Sequence, residues 1–169
     1  SKELKKAMKV LQFLHDTCTP YTLATNGVAE RSVRRVKEGT SATLIQSGFN
    51  GEWWVDAMEC FCFLRNVSDD IRVPKVPGKP EEGYKVGTPY ELRFMERYVG
   101  PLIPMGAKMH YKPRRPSGVD ALPKIGDKTR QGIFIKYHLQ AGGKPSGDIF
   151  VADWENITHA EDYSDISLR

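Results

Sequence analysis

The apolar residues change their period partway along the chain, and this limits the fold more than any other feature. Up to about Asn66 they recur at helical spacing, whereas from Ala107 onward they alternate as in half-buried strands. Mostly helices first and mostly strands afterwards predict an α+β chain. The stretch Asp69–Gly87 is rich in Pro, Gly and charge and has no period, so it reads as a surface loop or linker. No internal repeat is present.

In the first half, residues 2–13 form an amphipathic pattern. Leu4, Ala7, Met8 and Leu11 face inward, and Lys2, Lys5, Lys6 and Lys9 face outward. Phe13–Cys18 reads as a short strand ending at Thr19-Pro20. A loop from Tyr21 to Gly27 then leads into a long helix to about Ser47, closed by Gly48. A further helix over Glu52–Asn66 carries Trp53, Trp54, Ala57, Met58, Phe61, Leu64 and Val67 as its apolar face, so its aromatics are expected in the core. Thr88 as N-cap and Pro89 at the first helical position predict a short helix over 88–97.

The second half reads as strands at Ala107–Lys112, Gly132–Tyr137 and Asp148–Ala152, with a last one at Glu155–Thr158. Short strands separated by turn signals suggest a small β-barrel over 105–160. The acidic tail, 161–169, is expected to fray.

Composition narrows the class. With 169 residues, 40% hydrophobic and 27% charged, the chain can build a core and is not a disordered polymer. A net charge of +4 permits a nucleic-acid partner without requiring one. No apolar run reaches the length of a membrane span, and no membrane partner is expected. Cys18, Cys60 and Cys62 are an odd set without framework spacing, so free thiols in a reducing, intracellular setting are expected rather than disulfides. His15 and Cys18 could supply only half of a zinc site. Ser1 stands inside a helical pattern with no Met before it, which suggests an excised piece or a late-starting gene model.

Pro20–Lys37 is where chemistry concentrates. Asn26-Gly27 breaks the chain, and the helix that follows sets Glu30, Arg34 and Lys37 at i, i+4 and i+7, on one face. Val33, Val36 and Leu44 fall on another face that can be buried. A carboxylate beside a basic stripe at a loop-to-helix junction suits a metal-dependent enzyme that grips a phosphate backbone. The plainer reading of Glu30 is a salt bridge to Arg34 worth a few tenths of a kcal/mol, and that of the bases is a solvated face. In the second half, Lys108, Lys112, Arg114, Arg115, Lys124, Lys128 and Arg130 outnumber Asp120 and Asp127. They suit a DNA or protein platform, or simple solubility.

His15–Arg35 resembles the third catalytic motif of copia-type retrotransposon integrases. Pro20, Tyr21, Thr22 and Asn26–Arg31 match it, while Leu23, Ala24 and Thr25 depart from it. Further matches follow in the family's order. They are Trp53/Trp54-Val55-Asp56-Ala57, Leu64-Arg65-Asn66, Gly87-Thr88-Pro89-Tyr90-Glu91-Leu92, Gly106–Tyr111 and Gly132–Tyr137.

The resemblance implies the C-terminal part of an RNase H-like catalytic core over 1–67, mostly helical here. A linker over 68–104 and an SH3-like barrel over 105–160 would follow. It also implies a piece of a Pol polyprotein whose parent activity is DNA integration by metal-dependent polynucleotidyl strand transfer, carried out in the nucleus on genomic DNA. Glu30 then corresponds to the third metal-holding carboxylate, for Mg²⁺ or Mn²⁺ in the complete enzyme. Arg31, Arg34, Arg35 and Lys37, with Tyr21 and Asn26, correspond to DNA-facing positions.

The second of the two partner aspartates would lie roughly 35 residues before Glu30, ahead of Ser1. Asp16 is at the wrong position to be either, so no tight metal binding and no strand transfer are expected from this chain alone. Its expected partners are DNA, the rest of the polyprotein and other copies of itself. The alternative is a decayed or domesticated fragment serving as a non-catalytic nucleic-acid or protein interaction module. A free-standing protein-binding domain over 105–160 is a third reading.

Overall fold

The computed structural model describes residues 27–76, 79–112, 125–126, 128–160 and 162–168, together with positions 3, 6 and 10. The chain divides into two units, Ser1–Arg35 and Val36–Arg169. In the first, Glu3, Lys6 and Val10 are helical and exposed, in keeping with the expected helix over 2–13. The expected strand Phe13–Cys18 and the loop up to Asn26 lie outside the described residues. Helix α1, Gly27–Ser47, begins in the first unit and runs on into the second.

Among the described residues the architecture is α+β: four α-helices, a two-stranded antiparallel sheet and a three-stranded antiparallel sheet. Helix α1 ends as its sequence requires. Gly48 takes φ of 75°, and its N–H donates to the carbonyls of Leu44 and Ile45 at 3.0 and 3.4 Å. Past Arg35, small residues share the packed face of the helix with Val36 and Leu44. Thr40 is buried, and Thr40 and Thr43 return their hydroxyls to the carbonyls of Val36 and Gly39. Gly39 lies under the Phe61 ring, so closely that a Cβ there would fall 2.0 Å from Phe61 Cζ. Of the apolar positions expected inside, Val36 and Leu44 are half-buried, but Val33 is 54% exposed.

A 3₁₀ turn at Gly51–Trp53, capped by the Asn50 side chain, leads into helix α2, Trp54–Ser68. Its inner stripe is Asp56, Ala57, Cys60 and Phe63, continued by Trp53 at its N-cap. Trp54 does not join the core as expected: it is 54% exposed. Consecutive helical residues point about 100° apart, so only one of two adjacent tryptophans can face inward.

The segment read as a structureless linker is a β-ribbon. Strands β1, Ile71–Val76, and β2, Lys79–Gly87, pair antiparallel from Ile71↔Gly87 to Val76↔Lys79. Most of its residues are exposed on both faces, so no alternation of apolar and polar residues marks it in the sequence. Helix α3, Pro89–Phe94, follows at once with a complete capping box. Thr88 Oγ1 accepts from the Glu91 N–H, and the Glu91 carboxylate accepts from the Thr88 N–H. It stops three residues short of the expected Arg97 because Met95 adopts φ of 57°, outside the helical region.

Strands β3, Lys108–Tyr111, β4, Arg130–Leu139, and β5, Pro145–Asp153, form the larger sheet in the order β3-β4-β5. Among the described residues these three strands do not close into a barrel. Both faces of β4 are covered: Phe134 and Ile135 are fully buried, and Tyr137 is 5% exposed. The core joins them to Met105, Ala152 and the inner stripe of α2. The Tyr137 hydroxyl ties down the preceding loop, donating to the Pro101 carbonyl at 2.9 Å and accepting from the Ile103 N–H.

Two expectations at the C-terminus are corrected. Glu155–Thr158 is not a strand but part of helix α4, Trp154–His159. Only Ile157 of that stretch packs against the core, so a single inward position replaces the alternation a strand would need. The tail is not simply frayed: Tyr163–Asp165 make a 3₁₀ turn, and Leu168 bridges Ala152 antiparallel.

Gly132 leaves room on β4 for atoms of both neighbouring strands. A Cβ there would lie 2.5 Å from Val151 Cγ1 and 2.8 Å from the Ala152 carbonyl oxygen, with Tyr111 at 3.0 Å. Gly132→Ala is therefore expected to overpack the sheet and cost about 1–3 kcal/mol, read from the urea midpoint.

Candidate functional site

Helix α1 presents the residues singled out in the sequence. Glu30, Arg31, Arg34, Arg35 and Lys37 are all exposed on it. The described ion pairs do not include one between Glu30 and Arg34, so the plain salt-bridge reading of Glu30 gains no support. Tyr21 and Asn26 lie outside the described residues.

A hard dication needs six or more oxygen ligands, supplied largely by carboxylates and water. Among the described residues no group of three or more His, Cys, Asp or Glu is placed to hold a metal ion.

The basic residues of the second half divide. Lys108, Lys112 and Lys128 are exposed, and Lys108 lies 4.7 Å from the Trp154 ring centroid. Arg130 instead turns inward to Asp153, at 3.4 Å, where Tyr111 also donates at 3.1 Å. Asp153 is only 5% exposed. Arg114, Arg115, Asp120, Lys124 and Asp127 lie outside the described residues. An open cleft of about 570 Å³ lies between α2, α3 and the β4–β5 hairpin, with Phe63, Phe94 and Phe150 among its walls and Arg93 and His138 among its polar lining.

Sequence reasoning missed one polar cluster. Lys136 reaches from β4 to α2 and places its ammonium 2.8 Å from Asp56 Oδ1 and 2.7 Å from Glu59 Oε2. Tyr163 donates to the other Asp56 oxygen at 3.0 Å. Asp56 is 3% exposed. Burial opposes the charged form of Lys136, but the hydrogen bonds and charges of Asp56 and Glu59 outweigh it and hold the ammonium above the ordinary lysine value. Burial, then the bond to Asp56, likewise raises the Tyr163 phenol. The signal was available: Asp56 interrupts the Trp53–Cys60–Phe63 stripe, and Lys136 interrupts a run of large apolar residues in β4.

No protein-family model, curated protein or solved structure matches the chain.

Two outcomes are expected. Lys136→Met leaves the Asp56 carboxylate buried without its cation and should destabilise the chain by about 3 kcal/mol; adding Asp56→Asn should recover part of that loss in urea titrations. The second concerns alkali. Burial raises Cys60 from 9.0 to about 11 and Tyr137 from 10.0 to about 12, and Lys136 stands above 10.5. The fold keeps all three protons after the unfolded chain has released them, so rising pH favours the unfolded chain. Stability should be intact below about pH 9 and fall steadily towards about pH 12, with Tyr137→Phe flattening the upper part of that decline.

Proposed function

We propose that the chain is the C-terminal part of a copia-type retrotransposon integrase. In this reading α1 and α2 are the last helices of an RNase H-like core, and the β3–β5 sheet belongs to an SH3-like domain. The part of that protein's work carried by these residues is holding DNA, whose joining is the parent enzyme's strand-transfer activity. Its partners are DNA, the remainder of the polyprotein and other copies of the chain.

The observation that carries the reading is the surface of α1. Arg31, Arg34, Arg35 and Lys37 stand exposed within seven residues of sequence, next to the one carboxylate, Glu30, that the motif requires. Such a helix attracts a phosphate backbone without reading bases, so binding should be strongly salt-dependent and indifferent to sequence. A non-catalytic interaction module is the second reading, favoured by the departure from the motif at Leu23-Ala24-Thr25. Translating the genomic DNA upstream of Ser1 separates the two. An open frame carrying two aspartates supports the integrase, and stop codons support the module.

DNA binding itself is checked by salt titration. Arg34→Ala and Lys37→Ala should each lower the slope of log K against log salt by about 0.9 on duplex DNA, and the double variant by about twice that. An unchanged slope in the double variant would remove α1 from the binding surface.

A further inference from the structure

Residues 162–168 form a strap held against the second unit at two places. At one, Leu168 bridges Ala152, and Ile166 and Leu168 pack against the core. At the other, the Tyr163 ring stands edge-on to the buried Trp53, with centroids 4.6 Å apart, and its hydroxyl donates to Asp56 Oδ2. The polar half of the second anchor thus sets one neutral donor against one buried carboxylate. Tyr163 is nonetheless 38% exposed. It sits in the run Glu161-Asp162-Tyr163-Ser164-Asp165, with three acids within two residues of it. The turn that carries it is only three residues long, so local opening of this segment should cost little.

We propose that Tyr163 is a phosphorylation site for a tyrosine kinase that accepts acidic flanks, and that its modification releases the strap. The Tyr163 Oη bonds to the γ-phosphorus of a nucleoside triphosphate, and the bridging bond from that phosphorus to the β-phosphate oxygen breaks. The nucleoside diphosphate leaves, and the hydroxyl proton passes to the kinase's base. The contact then changes sign. A phosphate close to a dianion would stand against Asp56, with Glu59 one turn further along α2, and no proton would remain to donate. Lys136, the cation at this point, is already shared between those two carboxylates. The proposal does not depend on whether the chain binds DNA.

The test incubates the full chain with an acid-directed tyrosine kinase, ATP and magnesium, alongside a peptide of residues 158–169. Modified positions are located by mass spectrometry, and limited proteolysis follows on modified and unmodified chain. Phosphate is expected at Tyr163 in both substrates, absent there in Tyr163→Phe, with cleavage within 160–168 rising about tenfold on modification of the chain. Phosphate on the peptide alone, on neither, or on Ser164 instead would overturn the proposal. So would stoichiometric phosphotyrosine with unchanged cleavage.

Discussion

Much of the second unit depends on how one ammonium group is neutralised. Lys136 lies in the most buried strand of the sheet, and its charge is tolerated only because α2 brings Asp56 and Glu59 to it together. Those two acids are three residues apart and so share one side of the helix. Only one rotation of α2 about its axis meets the requirement, and that rotation puts Trp53, Cys60 and Phe63 inside and Trp54 outside. A buried ion pair of this kind adds little net stability over apolar residues of the same volume, but a helix turned the wrong way would leave the Lys136 ammonium without its carboxylates. We take the pair as a device that fixes orientation.

Helix α1 follows a different rule. Where it packs within the second unit it uses Gly39, which lies against Phe61, with the buried Thr40 and the half-buried Thr43 and Leu44. Its charged residues contribute nothing to that packing and remain turned to solvent. The helix therefore separates two tasks along its length, with contact to the fold made by small and apolar residues and display of charge by long ones. That separation makes its basic surface a candidate for binding rather than a by-product of folding.

What could be read from the sequence follows from what each element buries. The core strands were visible because β4 and β5 bury alternate or consecutive large residues, and Thr88-Pro89 announced α3 because capping is local chemistry. The ribbon was invisible because, apart from Ile71, Val73, Gly83 and Gly87, its residues are exposed, so too few inward positions recur to mark a period. Glu155–Thr158 was misread because β-prone Ile157 and Thr158 sit where only one side chain packs inward. For the candidate site, the charges on α1 were legible as a run, but the Asp56–Lys136–Tyr163 cluster draws on positions up to 107 residues apart in sequence, a pairing that no local pattern specifies. The Gly87–Leu92 motif teaches a further point. Thr88, Pro89 and Glu91 start and cap a helix and Tyr90 is buried, so those letters mark a way of folding rather than a reaction.

The ribbon begins and ends at one place, since Ile71 and Gly87 are paired partners on adjacent strands. Neighbouring strands lie about 5 Å apart, close to the span of a single residue. The whole excursion is thus a detour that returns the chain to its starting point between α2 and α3. Related chains could lengthen it, shorten it or replace it with a tight turn without moving either helix, which makes this the natural place for variation in length and for grafting a foreign segment.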